Sequence, residues 1–126
     1  MAIQVEALCH VTLPVTAVAR AKAFYGGLLG LEEIERPKSF ANPGAWYRGA
    51  TAVIHLESQV TVDSGNGRSF CLWATDVREA RRALQAAGVA IEEERRRVPG
   101  IARFFVHDPD GNRIELQGAD ETKWPA

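Results

Sequence analysis

The chain has 126 residues, of which 46% are apolar and 25% charged, with a formal net charge of −1. That is enough apolar material for one domain, or for two half-size modules sharing a core, and the charge balance argues against a nucleic-acid partner, which favours a basic surface. No apolar run approaches the ~20 residues of a membrane span, and the start MAIQVEALCH lacks the basic stretch and long apolar run of a secretion signal, so the cytoplasm is the expected location.

VEALCHVTLPV alternates as a strand, with Leu8, His10 and Thr12 on one face and Cys9, Val11 and Leu13 on the other. Thr16 is the expected N-cap of a helix whose stripe is Val18, Ala21, Tyr25 and Leu28, and Gly30 is its stop. LEEIER reads as a strand, KSFANPG as a loop, and AWYRGATAVIHLES as two strands around a turn at Arg48–Ala50. One of Trp46 and Tyr47 faces the helix layer and the other the opposite side. VDSGNGRS is a linker. SFCLWATD is the next strand, and Asp76 with Glu79 opens a helix whose stripe is Val77, Ala80, Leu84 and Ala87, with Gly88 as its end. EEERRR, residues 92–97, reads as a solvated edge strand whose charges cancel. IARFFVH and RIELQ are strands around the tight turn DPDGN, in which Asp108 and Asp110 are turn residues, and His107 precedes it in a partly exposed, non-ligand position. Cys9 and Cys71 read as reduced, buried and inert, although their spacing leaves a disulfide open.

The second half repeats the first. LCHVTLPVT echoes SFCLWATDV and AVIHLES echoes NRIELQG, and an offset of 60 sets His10 on Phe70 and His55 on Glu115. The expected organisation is a first βαβββ module over 1–61, a linker over 62–68, a second βαβββ module over 69–118 and a polar tail over 119–126 that holds Trp124. The expected fold is α+β: the two modules form a cupped, barrel-like mixed sheet with helices on the convex side. In that arrangement Cys71 and Trp73 pack on the second helix, as Val11 and Leu13 do on the first. The four equivalent positions face the cup, and three of them, His10, His55 and Glu115, are metal-ligand types. Two imidazoles and a carboxylate suit a single divalent ion such as Zn, Mn, Ni, Fe or Co, and leave coordination positions open. Phe70 adds an apolar wall, Trp46 and Phe105 offer aromatic surface, and Arg103 offers an anchor for a carboxylate or phosphate.

The segments HVTLPV, FYGGLLGLEE, LWATDV and FFVHDPDGNRIELQ carry a resemblance to the vicinal oxygen chelate superfamily, which includes glyoxalases, bleomycin-resistance proteins and extradiol dioxygenases. The resemblance implies a metal-dependent lyase, isomerase or dioxygenase acting on a small oxygen-rich organic substrate through Lewis-acid chelation. It places the metal on His10, His55 and Glu115, with Glu115 also the candidate catalytic base, and Phe70, Trp46, Phe105 and Arg103 around the substrate. Phe70 stands where fosfomycin-type enzymes and extradiol dioxygenases of this superfamily have a histidine. The other reading is a metal-free protein that binds a toxin or antibiotic, as bleomycin-resistance proteins do. Both readings imply a homodimer and a small-molecule partner, with no nucleic acid and no membrane.

Overall fold

The computed structural model describes residues 3–63 and 67–120. Residues 64–66 of the linker and 121–126 of the tail, Trp124 among them, lie outside the described residues, and the start of the expected tail, Ala119, ends the last strand. The chain divides into two compact units, Met1–Val62 and Asp63–Ala126. Each unit carries one four-stranded mixed sheet with a helical segment on one face.

In the first unit the elements are β1 (His10–Val15), α1 (Val18–Lys22) running directly into a π-helical stretch (Ala23–Leu28), β2 (Glu32–Ile34), β3 (Gly44–Arg48) and β4 (Val53–Ser58). The sheet order is β1-β4-β3-β2, with β1 parallel to β4 and the other pairs antiparallel. Alternation decides the faces. Leu13, Val15, Ala45, Tyr47, Ile54 and Leu56 are buried, together with Ala21, Phe24 and Tyr25 of the helical segment. His10, Thr12, Trp46 and His55 therefore occupy the opposite, open face. This settles the choice between the two neighbouring aromatics: Tyr47 packs under the helix and Trp46 does not. Desolvation, and then the Glu33 carboxylate, raise the Tyr47 phenol above its ordinary pKa.

The helix begins one residue later than expected. Its N-cap is Ala17, which offers no side-chain oxygen, while Thr16 accepts a hydrogen bond from Arg20 Nη2 at 3.1 Å. The widened final turns are marked by Leu29 N donating to Phe24 O at 2.9 Å. They bring Gly26 over Tyr47, where an added Cβ would lie 3.1 Å from the phenol ring.

The second unit contains β5 (Ser69–Trp73), α2 (Val77–Ala86), β6 (Glu92–Glu93), β7 (Ile101–His107) and β8 (Arg113–Ala119). Its order is β5-β8-β7-β6, the same topology as the first. Asp76 caps α2 by accepting from Glu79 N at 3.0 Å. The short β6 lies at the sheet edge, and its glutamates are ion-paired rather than merely solvated: Glu93 with Arg81, Glu92 with Arg113. Asp108, only 4% exposed, clasps the turn between β7 and β8. Its Oδ1 accepts from Asp110 N and Asn112 N, and its Oδ2 from Asn112 Nδ2, each at 2.9 Å. Gly111 supplies the left-handed backbone the turn needs, at φ 89°.

The two sheets also correct the repeat. In the first, His10 lies opposite Val53 and Thr12 opposite His55. In the second, Ser69 lies opposite Arg113, Phe70 opposite Ile114 and Cys71 opposite Glu115. The offset of 60 holds for the last strands but falls to 59 in the first, so Ser69, not Phe70, is the counterpart of His10. Phe70 and Leu72 share the helix-side face with buried Ile114 and Leu116. Cys71 and Trp73, expected to pack on the helix, instead share the open face with Glu115, and Trp73 is 60% exposed. Both cysteines are free and exposed, not buried.

Candidate functional site

The open face of the first sheet holds a continuous stack of rings. His55 stands on β4, with β1 on one side and β3 on the other. Trp46 is its direct cross-strand partner on β3 and His10 its diagonal neighbour on β1. The His10 and His55 rings are parallel within 12°, their centroids 4.0 Å apart. The His55 and Trp46 rings are parallel within 3° at 3.8 Å. Since β1 and β3 flank β4, the imidazole of His55 is covered on both faces and presents only its edge. Phe40, from the loop between β2 and β3, meets Trp46 at 5.6 Å and 70° and closes the far end. A cavity of about 560 Å³ opens here, lined by these four rings with Cys9, Thr12, Val53 and Glu57.

Desolvation first, then the neighbouring His10 and Arg36, hold the His55 pKa below its ordinary value, with Glu57 opposing them. His55 is thus neutral at pH 7, with one ring nitrogen as donor and the other as acceptor. Trp46 Nε1 is buried without a hydrogen-bond partner among the described residues.

The open face of the second sheet is built differently. Glu115 lies across from Phe105 and Cys71. Its carboxylate lies 3.5 Å from Arg103 Nη1, and Arg103 Nη2 donates to Arg96 O at 2.7 Å. Arg113 donates to Glu92 through Nη2 at 2.7 Å and Nε at 3.2 Å. The Arg113 guanidinium lies 3.7 Å over the Phe105 ring and that of Arg103 5.6 Å from it, so this ring is covered. Although Cys71 keeps an exposed surface, desolvation and then the Glu115 carboxylate push its thiol up to about 12, and it is protonated at neutral pH. His107 is exposed at the end of β7.

The arrangement can be tested against a metal. The donor types of His10 and His55 suit a divalent ion, but their geometry does not. A ligated ion lies close to the plane of each imidazole, at about 2.0–2.1 Å from its nitrogen. Ring planes 12° apart and stacked at 4.0 Å meet only roughly 19 Å away, so no single ion sits in both. Among the described residues, neither unit by itself groups three His, Cys, Asp or Glu side chains as such a site requires.

Comparison with known proteins follows from this fold. The family model of the Glyoxalase/Bleomycin resistance protein/Dioxygenase superfamily matches residues 7–116. The chain belongs to this superfamily. Its members bind small molecules, generally with a divalent metal, and often form dimers. No curated protein matches the chain by sequence. Among solved structures, a protein from Bacillus anthracis described as a glyoxalase family member is 26% identical, with a TM-score of 0.86 over 95% of this chain and 100% of that one. The fosfomycin resistance protein FosX from Listeria monocytogenes is 21% identical, with a TM-score of 0.77 over 95% and 98%. TnmS3, an antibiotic binding protein from Streptomyces sp. CB03234, is 24% identical, with a TM-score of 0.76 over 94% and 100%. The last two likenesses concern the fold alone. In this member, His10, His55 and Trp46 come together in the first unit, whereas Glu115, Arg103 and Phe105 cluster in the second and Phe70 faces its helix.

The sequence reading missed Thr12, Glu57 and Arg36. Thr12 and Glu57 were within reach, as each lies two residues from a chosen histidine and so shares its face. Arg36 carried no signal, because only the folded loop brings it beside Glu57, at 3.8 Å.

Proposed function

We propose that this protein is a small-molecule binding member of its superfamily. It takes a flat organic molecule of one or two rings into the cavity beside the ring stack, without a metal bridge. One observation carries the reading: His55 is clamped face to face between His10 and Trp46 at the cavity wall. A volume of about 560 Å³ is in the range of small-ligand sites. The outer face of exposed His10 can take one more ring, and Phe40 and Val53 give apolar contact. The edge of neutral His55 and the Thr12 hydroxyl supply a few hydrogen bonds that orient the ligand. The antibiotic-binding title of TnmS3 agrees in kind with such a role.

Thermal shift with indole, quinoline and phenazine tests this directly, since a ligand that binds the folded state raises its melting temperature. At least one of these flat probes should stabilise the wild type, and His55→Leu and Trp46→Ala should reduce the shift while staying folded. Absence of any shift would overturn the reading.

The competing proposal is a metal-dependent enzyme with the ion on His10, His55 and Glu115. It is supported by the donor set and by the habit of the superfamily, and it requires His10 to rotate out of the stack. Elemental analysis of protein purified without chelator separates the two. A stoichiometric divalent metal, lost in both His10→Ala and Glu115→Ala, would favour the enzyme. A homodimer and a cytoplasmic location belong to either proposal; among the described residues no helix is long and apolar enough to cross a membrane.

A further inference from the structure

We infer that Arg36 is the positioning residue that fixes the outer wall of the cavity and so sets the size of ligand it admits; this rests on the stacking function proposed above. Arginines in Pro/Asn-rich surface loops are ordinarily solvated. The side chain of Arg36 is only 13% exposed. It folds back across its own loop, where Nη1 donates to Asn42 O at 2.7 Å and Nη2 to Asn42 Oδ1 at 3.2 Å. Asn42 Nδ2 in turn donates to Glu57 Oε2 at 2.7 Å, and Glu57 Oε1 lies 3.8 Å from Arg36, which ties the loop to β4. The guanidinium lies 4.9 Å from the centroid of the Phe40 ring. A chain of contacts therefore runs from Arg36 through Phe40 and Trp46 to His55 and His10.

The backbone has been cleared to allow this. Gly44 opens β3 under the guanidinium, and an added Cβ there would lie 2.8 Å from Arg36 Cζ, 2.9 Å from Nε and 2.4 Å from Leu56 O. Arg36 itself does not line the cavity. Its work is indirect: it holds the loop that delivers Phe40, and Phe40 ends the stack. Lysine cannot replace it, because the fixed fork of the guanidinium serves Asn42 and Glu57 at once.

The test uses Arg36→Met, with Arg36→Lys as a second variant should the first not fold, and Phe40→Leu as comparison. In a Trp73→Phe, Trp124→Phe background, acrylamide quenching reports the cover over Trp46 with no ligand present. Quenching should rise in Arg36→Met and in Arg36→Lys, and to the same degree in Phe40→Leu. Unchanged quenching in a folded Arg36 variant overturns the inference, whatever the ligand results. Affinity for the smallest probe bound by the wild type should fall about tenfold in Arg36→Met, the upper end of one aromatic contact. The preference among indole, quinoline and phenazine should move toward the larger ring system. A wild type that binds none of the probes overturns the stacking function alone, leaving the quenching result to judge Arg36. A wild type that binds, with an Arg36 variant of the same affinity and size preference, overturns the role of Arg36 alone.

Discussion

The two sheets share strand order, strand directions and a helix over one face, yet their open faces are opposites. The first carries His10, His55 and Trp46 as rings stacked beside a cavity, with Phe40 of the loop edge-on at the end. The second carries Arg103, Arg113, Glu92 and Glu115, knitted into ion pairs over Phe105. The helix-side faces barely differ, since each is a run of aliphatic and aromatic residues. What holds each module together is common to both, and the other face is not. Rings stacked across neighbouring strands leave edges and terminal faces for a guest, whereas the charges of the second face are turned toward one another.

The largest expected effect concerns the shared half of this contrast. Leu56 and Leu116 are buried counterparts, opposite Leu13 and Leu72 respectively. Truncating either to alanine should cost roughly 2–5 kcal/mol in denaturant unfolding. A cost below about 1 kcal/mol in one of them would break the equivalence of the two cores.

Next comes the divergent half. Trp46→Ala should weaken binding of a flat probe about tenfold, and Arg103→Ala should leave it within about twofold. Titration calorimetry reads both, and equal losses would erase the distinction between the faces.

A third measurement probes Cys71 alone, in a Cys9→Ser background. With its thiol pushed up to about 12, Cys71 should alkylate slowly with iodoacetamide at pH 8. Glu115→Gln removes the negative charge beside it and should speed the reaction, by roughly threefold for each pKa unit recovered, since the gain in thiolate is partly offset by its lower nucleophilicity. An unchanged rate would show that the Glu115 carboxylate does not act on this thiol.

The smallest effect is expected at the edge of the second sheet. Hydrogen bonds from Arg113 and Arg81 hold the Glu92 and Glu93 carboxyls below the usual range. A depressed carboxyl stabilises the fold above its unfolded value of about 4.3, and that contribution is lost as pH falls through the folded value. These exposed pairs are each worth about 0.3 kcal/mol. Glu92→Gln and Glu93→Gln should therefore flatten the acid limb of the stability curve only slightly.

Much of this architecture was legible because alternation was clean where the chemistry differed between faces. His10 and Thr12 against Val11 and Leu13 admit one orientation, so the open face of β1 could be read directly. SFCLW could not be phased in the same way. Phe70 and Leu72 are apolar, but so are Cys71 and Trp73, and a strand that is greasy on both sides carries no mark of its inward face. The one-residue change of offset was hidden for that reason, and with it the true place of Phe70. The ring stack was half visible: its members could be placed on one face, but parallel contact depends on side-chain rotamers, which periodicity does not encode. Arg36 was illegible because its partners, Asn42 and Glu57, meet it only after the loop has folded over the sheet.

The Asp108 clasp has a kinetic consequence. Three hydrogen bonds accepted by one carboxylate close the bend between β7 and β8 using only residues within that bend. Joining strands across so short a loop loses little chain entropy. This hairpin should therefore form early in refolding, and Asp108→Ala should slow the arrival of the native state more than it speeds its departure. The corresponding bend of the other half, where Gly49 N donates to Ala52 O at 2.8 Å, has no such carboxylate and should set later. The birth order of the halves would then be the reverse of their order along the chain.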